Sequence, residues 1–226
     1  MNSRDTVLSR IRNALSDRPN AELPPPPEIW PAGNADAETI VKRFADEIAV
    51  VEGEFFRCGS AEEAQKQLDS IMKDVGCDTI AAVDRPLARE LTSALAAESV
   101  AWAPTETDMP AGNPEGWDPK TMGSIELGLV SADYLLADTG SCVVECLNPQ
   151  ERMMCYLPPN CVVIAKREHF REHMPAAWKE IAQRTAEPDR RGEFVVITGP
   201  SRTADIEKIL ILGVHGPKRL FVIVVD

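Results

Sequence analysis

The sequence predicts an α/β fold built on a mainly parallel, doubly wound sheet, a Rossmann-type core. Two stretches carry that prediction. Between residues 55 and 103, strand-like apolar runs alternate with helical patterns in the order β-α-β-α-β, the signature of parallel strands joined by crossover helices. The closing stretch, Glu193 to Asp226, reads as strand, loop, helix, loop, strand, which is one further βαβ unit. Composition agrees. Hydrophobic residues make up 44% and aromatics only 5%, an aliphatic-rich core, and 226 residues suffice for one large domain or two small ones.

The elements follow in order. Ser3 to Leu15 places Val7, Leu8, Ile11 and Leu15 on one side and Arg4, Arg10 and Arg12 on a wet face, the pattern of a short helix. Asp17 to Asn34 holds Pro19, four consecutive prolines from Pro24 to Pro27, and Pro31, which make a stiff extended spacer. Residues 1–35 are therefore expected to be an arm, which packs back or reaches another subunit as a homo-oligomer contact. Residues 36–226 are expected to be the α/β domain. Asp36 to Val51 is helical, with Ile40, Phe44 and Ile48 in phase, and Phe55 and Phe56 mark a short strand. Ser60 and Glu63 form a capping box for a helix that runs through Leu68 and Met72 to Gly76. Thr79 to Val83 is a strand. Pro86 opens the next helix at a position that suits proline, and Val100 to Ala103 is again a strand.

Pro104 to Gly123 is polar and turn-rich, a long loop of the kind that is a lid, a binding loop or disordered. Ser124 to Ala132 resumes the apolar pattern. Tyr134 to Ala137 and Cys142 to Cys146 are separated only by Asp138, Thr139, Gly140 and Ser141, so a β-hairpin or a sharp kink is expected. Polar Asn148 to Arg152, apolar Met153 to Leu157 and two prolines lead to a strand at Cys161 to Ala165. Arg167 to Arg184 reads as one long helix with His169 and His173 on one face. Their H-F-R-E-H pattern lacks the arrangement of a zinc protease motif, and its charged neighbours make it a solvated face.

Two polar bends are the candidate site. Thr198 to Ser201 breaks the strand Phe194–Ile197, and a helix is expected next, through Ile206, Ile209 and Leu210 to Gly213. Free backbone N–H groups and the positive end of the helix dipole at this loop suit an anion, with Gly199 opening the backbone and Ser201 and Thr203 adding hydroxyls. The alternative is plain capping by Ser201 or Thr203, with Asp205 favourable in the first turn. The second bend offers the Asp138 carboxylate and the Thr139 and Ser141 hydroxyls beside Gly140, at strand ends where open α/β sheets hold ligands. Ordinary turn chemistry explains it equally well. If both bends open onto one hollow at the carboxyl rim, Asp138 is the acid–base group and the Ser201–Thr203 backbone the anion cradle. His215 and Lys218 follow at the far end of the expected helix, out of reach of Ser201, and serve a neighbouring crevice or a partner surface.

Charge narrows the classes. A formal net charge of −12 argues against a nucleic-acid groove or an anionic membrane surface. No apolar run has the length of a membrane span, and the first residues lack a signal-peptide core, so the expected compartment is the cytoplasm. Six cysteines, Cys58, Cys77, Cys142, Cys146, Cys155 and Cys161, are then expected as free thiols. Their spacings match no common zinc or iron–sulfur signature, and no G-x-G-x-x-G fingerprint occurs, so no metal or cofactor is expected.

Three stretches together resemble the lactate-utilisation (LUD) domain family, in its protein C branch: Ala137-Asp-Thr-Gly-Ser141, Leu157-Pro-Pro before a strand, and Thr198 to Glu207 with Gly213-Val-His-Gly-Pro-Lys218. The resemblance runs from about residue 36 to Asp226, with the helical arm typical of that branch. Asp138 stands where the family commonly has glutamate, and the extra cysteines are outside its pattern. The resemblance implies a three-layer α/β/α sandwich like that of the NagB, RpiA and CoA-transferase group. It also implies a cytoplasmic part of a multi-protein system oxidising L-lactate to pyruvate, beside an iron–sulfur LUD protein and a cysteine-rich partner that hold the redox centres. Three roles are weighed: a non-redox subunit or accessory protein of that system, a stand-alone enzyme acting on a small phosphorylated or CoA-linked anion, and an interaction module working through the arm.

Overall fold

The structure, a computed structural model, describes residues 3–16, 30, 33, 35–103, 124–186, 193–204, 210–213 and 215–226. The prolines of the spacer, residues 104–123, residues 187–192, and residues 205–209 with Asp205, Ile206 and Ile209 of the expected helix lie outside the described residues. The chain divides into two compact units, residues 1–32 and 33–226. The first contains helix α1 (Ser3–Ser16), the expected arm helix.

The second unit is organised on a six-stranded sheet in the order β1-β12-β7-β4-β2-β3, with every pairing parallel. Its strands are β1 (Glu54–Cys58), β2 (Ile80–Ala82), β3 (Val100–Trp102), β4 (Leu127–Ser131), β7 (Asn160–Lys166) and β12 (Arg219–Val225). Helix α2 (Ala37–Val50) precedes β1, α3 (Ala61–Val75) joins β1 to β2, and α4 (Pro86–Thr92) joins β2 to β3. The steps from β1 to β2 to β3 run one way along the sheet, and those from β4 to β7 to β12 run the other way. Right-handed crossovers therefore put α3 and α4 on one face and the later connections on the other. The α/β sandwich with a parallel sheet is thus present as expected.

Local chemistry explains the helix ends. Asp36 caps α2 by accepting from Glu38 and Thr39 N–H, both at 3.0 Å. Ser60 caps α3 by accepting from Glu63 N–H, while the Glu63 carboxylate takes the N–H of Gly59 at 2.8 Å. This is the expected box shifted by one residue. Gly76 ends α3 in the left-handed conformation. Phe44 and Ile48 of α2 and Phe221 of β12 are fully buried, each contributing about 1.5–3 kcal/mol of apolar burial.

A second sheet, order β8-β5-β6-β9, was not expected. The hairpin of β5 (Tyr134–Leu136) and β6 (Ser141–Cys146) is the one read at Asp138–Ser141. β8 (Phe170–Arg171) and β9 (Glu193–Ile197) complete the sheet. Its residues alternate. Leu135, Cys142, Val144, Cys146, Val195 and Ile197 join the main core. Tyr134, Leu136 and Val143 turn the other way, against Ala177 and Ile181 of α6 (Met174–Thr185). Helix α5 (Pro149–Met154), capped by Asn148, lies between β6 and β7.

Three sequence expectations are corrected. Glu193–Asp226 is not a βαβ unit, because β9 pairs antiparallel with β6 while β12 pairs parallel with β1 and β7. In place of the expected helix, β10 (Arg202–Ala204) and β11 (Leu210–Leu212) pair antiparallel. The run Ile209 to Leu212 is apolar at every position, and so short a run does not separate helix from strand. The long helix at 167–184 is also interrupted. Arg167–His169 is a 3-10 turn, Phe170–Arg171 is β8, and α6 starts afresh with Pro175 in its first turn.

Gly140 has φ 63°, and a Cβ there would lie 2.5 Å from the backbone nitrogen of Ile48. Gly76 has φ 77° but open space around it. Gly140→Ala is expected to lower stability in urea by about 2 kcal/mol or more, and Gly76→Ala by about 1 kcal/mol. Equal losses would contradict the packing of this turn on α2.

Candidate functional site

The two polar bends do meet. Thr139 Oγ1 lies 2.7 Å from Ser141 Oγ, and Ser141 Oγ lies 2.8 Å from Thr198 Oγ1. This hydroxyl chain joins the β5–β6 turn to the end of β9, with Ser141 buried in its middle. Asp138 touches the chain only through the Thr139 hydroxyl, at 3.4 Å. Both bends rest on the end of α2: Gly140 against Glu47 and Ile48, Gly199 against Val51. Thr198 is the member that sequence reasoning left out, although it adjoins Gly199.

Ser201 belongs to a neighbouring cluster. Its N–H donates to the Pro217 carbonyl at 2.8 Å, its carbonyl accepts from Gly213 N–H at 3.0 Å, and its Oγ accepts from His215 N–H at 3.4 Å. His215 was expected to be out of reach of Ser201. It is not, because β10 and β11 fold back where a helix would have carried it away. Lys218 N–H donates to the Pro159 carbonyl at 2.7 Å. Thr203 lies within β10, and Asp205 is outside the described residues. Among the described residues the helix N-terminus on which the anion cradle rested does not appear, and Arg202–Ala204 is a strand.

The bends also lie at the other end of the sheet from the one expected. Pro159 and Lys218 immediately precede β7 and β12, and Val51 precedes β1, so the whole group sits at the amino rim. Ligands of open α/β sheets sit at the carboxyl rim. That rim carries its own constellation, which the sequence reading missed. Arg57 of β1 donates through Nη1 and Nη2 to Glu38 at 2.6 and 3.1 Å, and through Nε to both Asp226 oxygens at 2.9 and 3.0 Å. Arg167, just after β7, donates to the same Glu38 at 2.5 Å. The Arg57 guanidinium is the main cause that holds both the Glu38 and Asp226 carboxyls below their ordinary values.

Beside this clasp is a crevice of about 670 Å³ lined by Ser60, Ala61, Leu87, Lys166, Arg167 and Asp226, among others. The signal available in the sequence was the polar residue closing each apolar run: Arg57 to Ser60, Lys166-Arg167 and Asp226. Farther along the same rim, Asp133 accepts from Arg184 at 2.9 Å, and Arg85 donates to Glu151 at 2.9 Å. Burial pushes the His169 imidazole below its ordinary value. His173 caps α6, its Nδ1 accepting from Ala176 N–H at 3.1 Å, so the two histidines share no helix face.

All six cysteines are free, and Cys58, Cys142, Cys146, Cys155 and Cys161 are buried. Burial holds Cys142 far above the ordinary thiol range and Cys161 up to about 12. A hydrogen bond with Cys146, then burial, raises Cys155. Cys142, Cys155 and Cys161 therefore stay protonated and act as small apolar groups. Among the described residues no group of three or more His, Cys, Asp or Glu is placed to hold a metal ion, and no helix is long and apolar enough to cross a membrane.

Comparison with known proteins gives concordant results. Residues 41–225 match the LUD domain family. Proteins called lactate utilization protein C from Halalkalibacterium halodurans and Shouchella clausii are each 26% identical to this chain over 235 residues. They cover 99% of it, and 97% and 98% of their own lengths. The YkgG protein of Escherichia coli is 30% identical over 103 residues, 45% of each chain. The crystal structure of a DUF162 family protein from Deinococcus radiodurans superimposes with a TM-score of 0.57 at 15% identity. It covers 85% of this chain and 100% of that one, a likeness of fold.

Two measurements check the rim and the thiols. A carboxyl lowered in the folded state contributes stability above its unfolded value and loses it as pH falls through the folded one. The contribution of Glu38 and Asp226 is therefore complete above pH 4.5 and lost in more acid solution. Arg57→Leu is expected to flatten this acid limb in pH-dependent urea unfolding, and an unchanged slope would contradict the clasp. With Ellman's reagent, the half-buried Cys77 is expected to react first, and Cys142, Cys146, Cys155 and Cys161 only on unfolding. Prompt labelling of these four in the folded chain would show that the interior is not closed.

Proposed function

The chain belongs to the LUD domain family, and we propose that it is a component of a lactate-utilisation system, a subunit or accessory protein that carries no redox centre of its own. In this reading it works in the cytoplasm beside an iron–sulfur LUD protein and a cysteine-rich protein, and those partners move the electrons when L-lactate becomes pyruvate. The observation that carries the reading is similarity across nearly the full length, arm included, to proteins called lactate utilization protein C. The thiol chemistry supports it. Five cysteines are buried, and the environment raises the values of Cys58, Cys142, Cys155 and Cys161, which suits packing and not ligation of a cluster.

The competing reading is a stand-alone enzyme acting on a small phosphorylated or CoA-linked anion, with Asp138 as acid–base. The convergence of Ser141 and Thr198 favours it. Against it stand the strand in place of the cradle helix and the position at the amino rim. The hydroxyls there are also already engaged with one another.

Deleting the gene is expected to abolish growth on L-lactate as sole carbon source, and the full-length chain to restore it. The tagged full chain is expected to co-purify with the iron–sulfur and cysteine-rich proteins. On its own it is expected not to reduce a dye acceptor with L-lactate. Normal growth of the deletion strain would sink the proposal. Lactate-dependent dye reduction by the pure chain would sink the non-redox part of it.

A further inference from the structure

The crevice at the carboxyl rim has a topological cause. The chain leaves β1 through Gly59 and Ser60 into α3, on one face of the main sheet. It leaves β7 through Arg167–His169 toward β8, on the other face. β12 lies between these two strands, so the exits diverge above its end, at Val225 and Asp226. A crevice between diverging connections at strand carboxyl ends is where open α/β sheets take ligands. Its volume of about 670 Å³ lies within the range of small-molecule pockets.

The lining selects a chemistry. The guanidiniums of Arg57 and Arg167 are both committed to Glu38, and Arg57 also to Asp226; of this clasp, Arg167 and Asp226 line the crevice. Lys166, at the end of β7, lines the crevice, is exposed and holds no ion pair among the described residues. Ser60 adds a hydroxyl, and Ala37, Ala61, Leu87 and Val225 give an apolar floor. Glu90 and Glu168 line the same space and repel a polyanion. Lys166, the Ser60 hydroxyl and the apolar floor can hold the head group and body of a small anion, while Glu90, Glu168 and Asp226 weaken its binding and oppose further charge.

We propose that this crevice binds a small organic anion with one carboxylate or phosphate group and an apolar body, its charged end on Lys166 and its apolar end against Leu87 and Val225. The site is independent of the hydroxyl chain at the amino rim and of the assembly reading above.

The test uses the full chain and calorimetric titration with hexanoate, phenyl phosphate and ADP. Hexanoate or phenyl phosphate is expected to bind saturably, and whichever binds identifies the preferred head group. ADP is expected to bind more weakly. Lys166→Ala weakens binding about tenfold or more, the factor carried by one charge-assisted hydrogen bond, and Lys166→Arg largely retains it. The exposed lysine makes the unliganded melting temperature of Lys166→Ala equal to that of the parent, which separates lost binding from lost folding. Absence of saturable binding by both hexanoate and phenyl phosphate overturns the proposal. So does binding unchanged in Lys166→Ala, and so does a preference for ADP.

Discussion

The pairing of β12 between β1 and β7 decides where everything else lies. β12 meets β7 over seven residue pairs, Arg219 opposite Asn160 through Val225 opposite Lys166, and β1 over five, Glu54 opposite Phe221 through Cys58 opposite Val225. Each strand spends its backbone hydrogen bonds on its neighbours, so the three cannot slide without exposing or burying polar groups. All point the same way. Their amino ends therefore gather Glu54, Pro159 and Lys218 at one rim, and their carboxyl ends gather Arg57, Lys166 and Asp226 at the other. The Arg57–Glu38–Arg167 clasp forms because this register brings those side chains level.

The second sheet transfers that polarity to the candidate bends. β5 starts beside the carboxyl end of β4 at Asp133 and runs back toward the amino rim, where the turn at Gly140 presses on the last turn of α2. β6 returns, and β9, antiparallel to it, arrives again at the amino rim with Thr198. The Ser141–Thr198 contact is thus a result of strand direction: two antiparallel pairings bring residues 57 apart in sequence to one place.

Much of this was legible in the sequence. The order from β1 to β3, the cap at Ser60, the stop at Gly76 and the hairpin at Asp138–Ser141 rest on local chemistry, which a sequence displays. The association of the 138–141 and 198–201 bends entered the reading only as a condition, and the rim they occupy was not legible either. It depends on β9 joining the antiparallel sheet, and Phe194-Val-Val-Ile197 looks the same whether its partner is β6 or β12. Continuous apolar runs suit a strand buried on both faces, yet Val196 is 41% exposed in β9 while Val222 and Ile223 are fully buried in β12. Likewise Ile206, Ile209 and Leu210 keep helical spacing while Leu210–Leu212 is strand, because tertiary pairing outweighs a short periodic pattern. Pro175, by contrast, was a signal that the helix at 167–184 had to restart.

The two rims differ in what their polar groups have left to offer. At the amino rim the hydroxyls of Thr139, Ser141 and Thr198 satisfy one another, and Ser201 is engaged through its N–H, its carbonyl and its Oγ. A ligand there would have to break contacts that hold two loops together, and a buried hydroxyl stripped of its partner costs about 1–3 kcal/mol. Such a constellation is better at fixing the two bends against α2 than at exchanging ligands. At the carboxyl rim the guanidiniums are just as fully engaged, but their pairing leaves Lys166 and an apolar floor open beside them. The polar residues most conspicuous in the sequence are therefore those that tie the fold together. The place with unspent capacity is where three apolar runs give way to polar residues.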